Sequence, residues 1–363
     1  MRARISRMTA WKAAAVVMLV ATVVGAGGFF ALGHGGGQAA YELQVTVGGV
    51  DGLVSAEVFG AGNVTINAGD TVSWTNSLVE PHTVTFLANK PVPADFEAPV
   101  GPTPWVQYTG GYQISSGFLV GGAQYSVQFV IPGKYHYVCV IHPGMEADVT
   151  VQAANSAGTT TQADSNAQFA QRVPPALATG KAALAALPKA TSVTKADGTT
   201  TWTMGTGASL PVTGGTVDVM AFNSPQLTIK TGDTVVWQAN PVPHTITFNG
   251  GGNPFIPTTP RQNFDGTGYV NGIISLNPMF TPSTSFSLTF TKAGTYSYIC
   301  LLHAPLGMAG VITVTAGGLS APSTGDGGLL PSSDGGGSYA LQLAMLAPLA
   351  LAGAAGVWKL SRR

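Results

Sequence analysis

The chain repeats itself. The run Ile66-Asn67-Ala68-Gly69-Asp70-Thr71-Val72-Ser73-Trp74, then Pro81-His82-Thr83-Val84-Thr85-Phe86, returns as Ile229-Lys230-Thr231-Gly232-Asp233-Thr234-Val235-Val236-Trp237, then Pro243-His244-Thr245-Ile246-Thr247-Phe248. Further on, Gly133-Lys134-Tyr135-His136-Tyr137-Val138-Cys139 is matched by Gly294-Thr295-Tyr296-Ser297-Tyr298-Ile299-Cys300. The offset stays between 161 and 163 residues, so one domain occurs twice, at about 41–153 and 195–316.

Each copy alternates apolar and polar residues over short runs broken by Gly, Pro, Asn and Asp, the pattern of an antiparallel β-sandwich. Only 9% of the 363 residues are charged, while Gly (48) and Pro (24) are frequent. That composition favours many short strands over long solvated helices, and hence an all-β fold. Between the copies, 154–194 is rich in Ala, Thr and Ser and reads as a linker or packing arm. Its part Ala176–Leu187 suits a short helix interrupted by Gly180.

Each copy carries one early His and a late Cys–His–Met cluster. These are His82 with Cys139, His142 and Met145, and His244 with Cys300, His303 and Met308. A thiolate and two imidazoles in a plane, with a weak axial thioether, serve both Cu(I) and Cu(II). Three of the four groups come from one short loop after a strand, and a distant strand supplies the fourth. A lone His, Met or Cys would read as a structural His, a core filler or an inert thiol. Four groups in this order, twice over, point to two type 1 copper sites. A disulfide between Cys139 and Cys300 is the alternative use of the only two cysteines.

Both copies resemble the plastocyanin/amicyanin family of blue copper proteins. Cys139-x-x-His142-x-x-Met145 is similar to the amicyanin loop, and Cys300-x-x-His303-x-x-x-x-Met308 to the plastocyanin loop. The resemblance implies two tandem cupredoxin-like Greek-key sandwiches carrying single electrons. It implies that His142 and His303 present a ring edge at an apolar surface as electron ports. It also makes Thr83 and Thr245 supporting residues that fix the Cys–His geometry. The first-His-to-Cys intervals, 57 and 56 residues, exceed those of small plastocyanins and imply insertions around Trp105–Phe118 and Phe264–Phe280.

The histidine count separates a carrier from a copper enzyme. There are six: His34, His82, His136, His142, His244 and His303. Four are assigned to the two sites and His34 lies in the N-terminal tail, so His136 alone is spare. A trinuclear oxidase cluster or the second copper of a nitrite reductase needs more imidazoles than that. Copper storage or delivery is the other alternative, without the Met-rich or His-rich tracts that would favour it.

The two ends suggest a location outside the cytoplasm. Residues 1–40 hold a basic stretch and an apolar run, Ala13–Gly33, which reads as a signal peptide or membrane anchor. A Gly/Ser/Pro-rich stalk at 317–338 leads into a C-terminal apolar segment with a basic tail, 339–363. Ala321-Pro322-Ser323-Thr324-Gly325 also resembles a sortase motif, so the tether is a membrane helix or the cell wall. All sixteen acidic residues lie between Tyr41 and Ser338 with nine basic ones, a charge near −7 (9 − 16). Such a body repels nucleic acid. It fits redox protein partners, a donor and an acceptor such as a cytochrome or a membrane respiratory or photosynthetic complex.

Overall fold

In the computed structural model, which describes residues 40–91, 105–258, 262–277 and 283–317, the alternating runs are strands. Thr71–Asn76 and Thr234–Gln238 turn Val72, Trp74, Val235 and Trp237 fully inward. Each copy packs two sheets face to face. In the first, Val54–Phe59, Glu42–Asp51, Thr71–Asn76, Ala123–Phe129 and Trp105–Tyr108 lie in that order. They face Val64–Asn67, Glu146–Gln152, Gly133–Val138, Thr85–Phe86 and Ile114–Ser115. In the second, Thr191–Thr194, Thr200–Gly205, Thr234–Gln238, Ser285–Phe290 and Asn263–Phe264 face Gln226–Lys230, Ala309–Thr315, Gly294–Ile299, His244–Phe248 and Val270–Ile274. Trp74 packs on Phe86 and Tyr137, and Trp237 on Phe248 and Tyr298, so the repeat extends to the aromatic cores. The two insertions supply edge strands: Trp105–Tyr108 and Ile114–Ser115 in one copy, Val270–Ile274 in the other.

The copies are not beads on a linker. The second sends a hairpin, Ala208–Val212 and Gly215–Val219, into the first copy's sheet, where Gly215–Val219 pairs antiparallel with Val54–Phe59. A seven-stranded sheet therefore spans both copies. Phe59 and Phe222 are equivalent: they lie on Tyr137 and Tyr298 at 4.6 and 4.5 Å between ring centroids. Counting back from them makes Ser55 equivalent to Asp218, and these two stand opposite each other in the register. A residue paired with its own equivalent marks a local twofold relation between the copies. Both copies fall in one compact unit.

Beside this seam lies a helix, Gln162–Ala185, longer than the expected Ala176–Leu187. It begins at a capping box in which Thr161 and Asp164 satisfy each other's backbone N–H groups. It runs through Pro174 and Pro175 because packing holds it. Val173 and Ala176 bury against Val54, Ala56, Val58 and Val217. Each such Val contributes about 1.5 kcal/mol or more. Gly180 does not break the helix but lets it approach. A Cβ there would lie 2.3 Å from Val54 Cγ1 and 2.6 Å from Val217 Cγ2.

Val54–Phe59 is buried along its whole length. With Val54, Ala56 and Val58 under the helix, strand alternation turns Ser55, Glu57 and Phe59 into the first copy. The apolar segments Ala13–Gly33 and Tyr339–Trp358 lie outside the described residues. Among those described, no helix is long and apolar enough to cross a membrane.

Candidate metal centres

Each centre is assembled from two places by backbone bonds. His82 pairs with Leu119 as an isolated bridge: His82 N–H donates to Leu119 O at 3.1 Å, and Leu119 N–H donates to His82 O at 2.8 Å. Asn76 clamps the approach, donating through Nδ2 to Glu80 O and Leu119 O. His244 instead opens the strand His244–Phe248, paired with Val270–Ile274. The Cys loops close on themselves. Cys139 N–H donates to Met145 O and Met145 N–H to His142 O; Cys300, Met308 and His303 repeat this. The second loop is longer by a short 3-10 turn, Ala304–Leu306, ended by Gly307 in the left-handed region.

Two groups of donor atoms result: His82, Cys139 and His142, and His244, Cys300 and His303, each within 4.8 Å of one another. In the second, Cys300 Sγ lies 3.4 Å from His303 Nδ1 and 3.9 Å from His244 Nδ1, and the two nitrogens are 3.2 Å apart. A point equidistant from three such atoms is about 2.0 Å from each, the length of a first-row metal–imidazole bond. In the first, Cys139 Sγ lies 3.4 Å from His142 Nδ1. Met145 and Met308, in the same loops, are buried.

The threonines tie the two places together. Thr83 N–H donates to Cys139 Sγ at 3.3 Å, and Thr83 Oγ1 accepts Val140 N–H at 2.9 Å. Thr245 does the same for Cys300 and Leu301, at 3.3 and 2.7 Å. Burial alone would push both thiols up. The imidazoles outweigh it: His142 and His82 hold Cys139, and His303 and His244 hold Cys300, well below the ordinary thiol range. These are the thiolates a metal requires. Neither cysteine is in a disulfide. Buried atoms without hydrogen-bond partners cluster here: both nitrogens of His82, Nε2 of His244 and both oxygens of Glu57. Unsatisfied donors in a dry site fit a metal that would satisfy them.

His142 and His303 do not present free edges on an open surface. They line one cavity of about 320 Å³ between the copies, with Glu80, Ile141, Asp218 and Leu302. Glu80 stands between them, one oxygen 3.7 Å from His142 Nε2 and the other 4.0 Å from His303 Nε2. Burial pushes His303 down, but Cys300 and then Glu80 raise it to about 9. His136 is half exposed beside Asp148 and Glu146, apart from either centre.

Sequence reasoning missed Glu57, Glu80 and Asp218. One signal was available, since Glu80-Pro81-His82 becomes Val242-Pro243-His244 in the second copy. A charge at one copy's site, absent from the other, marks a difference in chemistry.

Twin sandwiches, each holding a His–Cys–His group in a loop-and-strand frame, define a tandem copper-binding β-protein. Comparison with known proteins agrees. The family "Copper binding proteins, plastocyanin/azurin family" matches residues 48–152 and 208–315, more than half of the chain, and the chain belongs to that family. Plastocyanin of Scenedesmus fuscus is 34% identical over 96 residues, 26% of this chain and 87% of that protein. Amicyanin of Paracoccus denitrificans is 35% identical over 86 residues, 23% of this chain and only about half (52%) of that protein. A solved structure of an oxidised amicyanin mutant covers 31% of this chain at 21% identity and a TM-score of 0.22.

Proposed function

We propose that the chain is a one-electron carrier with two type 1 copper sites, working outside the cytoplasm. His82, Cys139, His142 and Met145 would hold one ion, and His244, Cys300, His303 and Met308 the other. Bound copper supplies reversible exchange between Cu(I) and Cu(II). The chain's part is to keep each thiol ionised, exclude water and fix the donors. Thr83 and Thr245 do the fixing, through an N–H to sulfur and a hydroxyl to the next backbone N–H. A rigid frame between the preferences of the two oxidation states limits rearrangement on electron exchange. The observation that carries this reading is the duplicated His–Cys–His group with a thiolate held down by two imidazoles.

The family relatives are named plastocyanin and amicyanin, which favours a carrier over an enzyme. With His136 apart from both centres, no further imidazole among the described residues is placed for an added catalytic copper. The terminal apolar segments favour an exported body tethered to a membrane or cell wall, and its acidity suits a basic region on a redox partner. Redox titration of the copper-loaded chain, followed near 600 nm, tests this. Two reversible one-electron steps support a carrier, whereas a colourless chain that sheds copper readily contradicts it.

A further inference from the structure

The two centres share a ligand pattern but not a neighbourhood. Glu57 is fully buried and neither carboxylate oxygen has a hydrogen-bond partner. One of them, Oε2, lies 3.5 Å from His82 Nε2 and 3.5 Å from His142 Nδ1. His142 Nδ1 is also the nitrogen 3.4 Å from Cys139 Sγ. Glu80 meets the far side of the same ring, at Nε2. Glu57 Oε2 thus lies about as far from two imidazole nitrogens as neighbouring donors on one first-row metal lie from each other. Gly48 helps make this space: its φ is +66°, and a Cβ there would stand 2.7 Å from His82 Nε2.

The second copy has no such group. The equivalence of Phe59 and Phe222 places Met220 where the first copy has Glu57, and Met220 is buried in an apolar cluster. We propose that Glu57 is a metal donor of the first centre, a carboxylate oxygen beside His82, Cys139 and His142 with no counterpart in the second. This rests on the first centre's holding copper. A bare carboxylate in a dry core needs a positive partner. Once the imidazoles are metal-bound and neutral, the ion is the partner at hand. Carboxylate is a hard donor that favours Cu(II), whereas thioether and thiolate favour Cu(I). The first centre should therefore hold its oxidised ion more firmly than the second and show a less purely thiolate-dominated spectrum.

The test uses the full chain with only the first centre intact, by Cys300→Ser. Cu(II) and Cu(I) affinities and the electron paramagnetic resonance spectrum are measured with Glu57, Glu57→Gln and Glu57→Met. The Met variant copies the residue at the equivalent position and guards against misfolding of the Gln variant. Loss of a donor predicts Cu(II) affinity lower by at least the roughly 10–100-fold that losing an outer partner of a ligand costs. Cu(I) affinity should be nearly unchanged, with copper hyperfine splitting narrowing toward that of the second centre. Unchanged Cu(II) affinity and spectrum, or equal loss of both affinities, overturns the proposal while leaving the copper reading standing. Failure of the Glu57 chain to take up copper overturns both.

Discussion

The two copies solve the same problem in different surroundings. The first centre faces two carboxylates, Glu57 and Glu80, and the second shares only the far oxygen of Glu80. Its loop is shorter too, with Met145 three residues after His142 where Met308 follows His303 by five. Duplication has kept the donors and the Thr clamp, which the metal demands. It has freed the shell around them, where the ligands of a metal site are oriented and tuned.

The largest expected effect comes from removing one thiolate. Cys139→Ala and Cys300→Ala should each halve the bound copper, counted per chain, and leave centres with different spectra and potentials. Identical spectra and potentials from the two variants would collapse the comparison. Next is the seam that joins the copies. Gly→Ala inside a helix ordinarily stabilises by about 1 kcal/mol. At Gly180 the new Cβ meets Val54 and Val217, so Gly180→Ala should destabilise by about 1–3 kcal/mol in denaturant unfolding.

A pH effect of comparable size belongs to Asp218, on the hairpin that crosses the seam. Burial, then the nearby Glu57, raise its carboxyl from 3.8 to about 7. Between those values the folded chain binds a proton that the unfolded chain has lost, so stability should fall as pH rises from about 4 to 7. The total is roughly 2–4 kcal/mol. Asp218→Asn should flatten that part of the metal-free stability profile, and an unchanged slope would remove Asp218 as its source. The smallest effect is at Glu80. Glu80→Val gives the first copy the second's residue, and should lower the His303 titration of the metal-free chain from about 9, read by nuclear magnetic resonance. No movement would remove Glu80 as a contributor to that shift.

Much of this could be read from the sequence because the repeat aligned the chemistry for us. His82, Cys139 and His142 are brought together, as are His244, Cys300 and His303, and Thr83 and Thr245 stand against the sulfurs. The joining of the copies was not legible. Alternation in Ala208–Val219 says that it is strand, but not which sheet it enters, since either copy offers an edge with the same period. The helix was read short because Pro174, Pro175 and Gly180 are local breakers, whereas tertiary packing on Val54 and Val217 decides its length. The electron ports were expected at an apolar outer surface of each copy by family resemblance. The twofold seam instead turns His142 and His303 toward one cavity. Glu57 escaped notice because nothing in Val54–Phe59 itself says that a carboxylate on that strand will end beside two imidazoles.

The duplicated site leads us to expect two copper centres of different character in one chain. Copper-to-protein stoichiometry with an electron paramagnetic resonance spectrum tests this most directly. Two coppers per chain and two resolvable signals are expected, the second centre narrow in hyperfine splitting and the first wider. A single copper per chain, or two signals that superimpose, would contradict it.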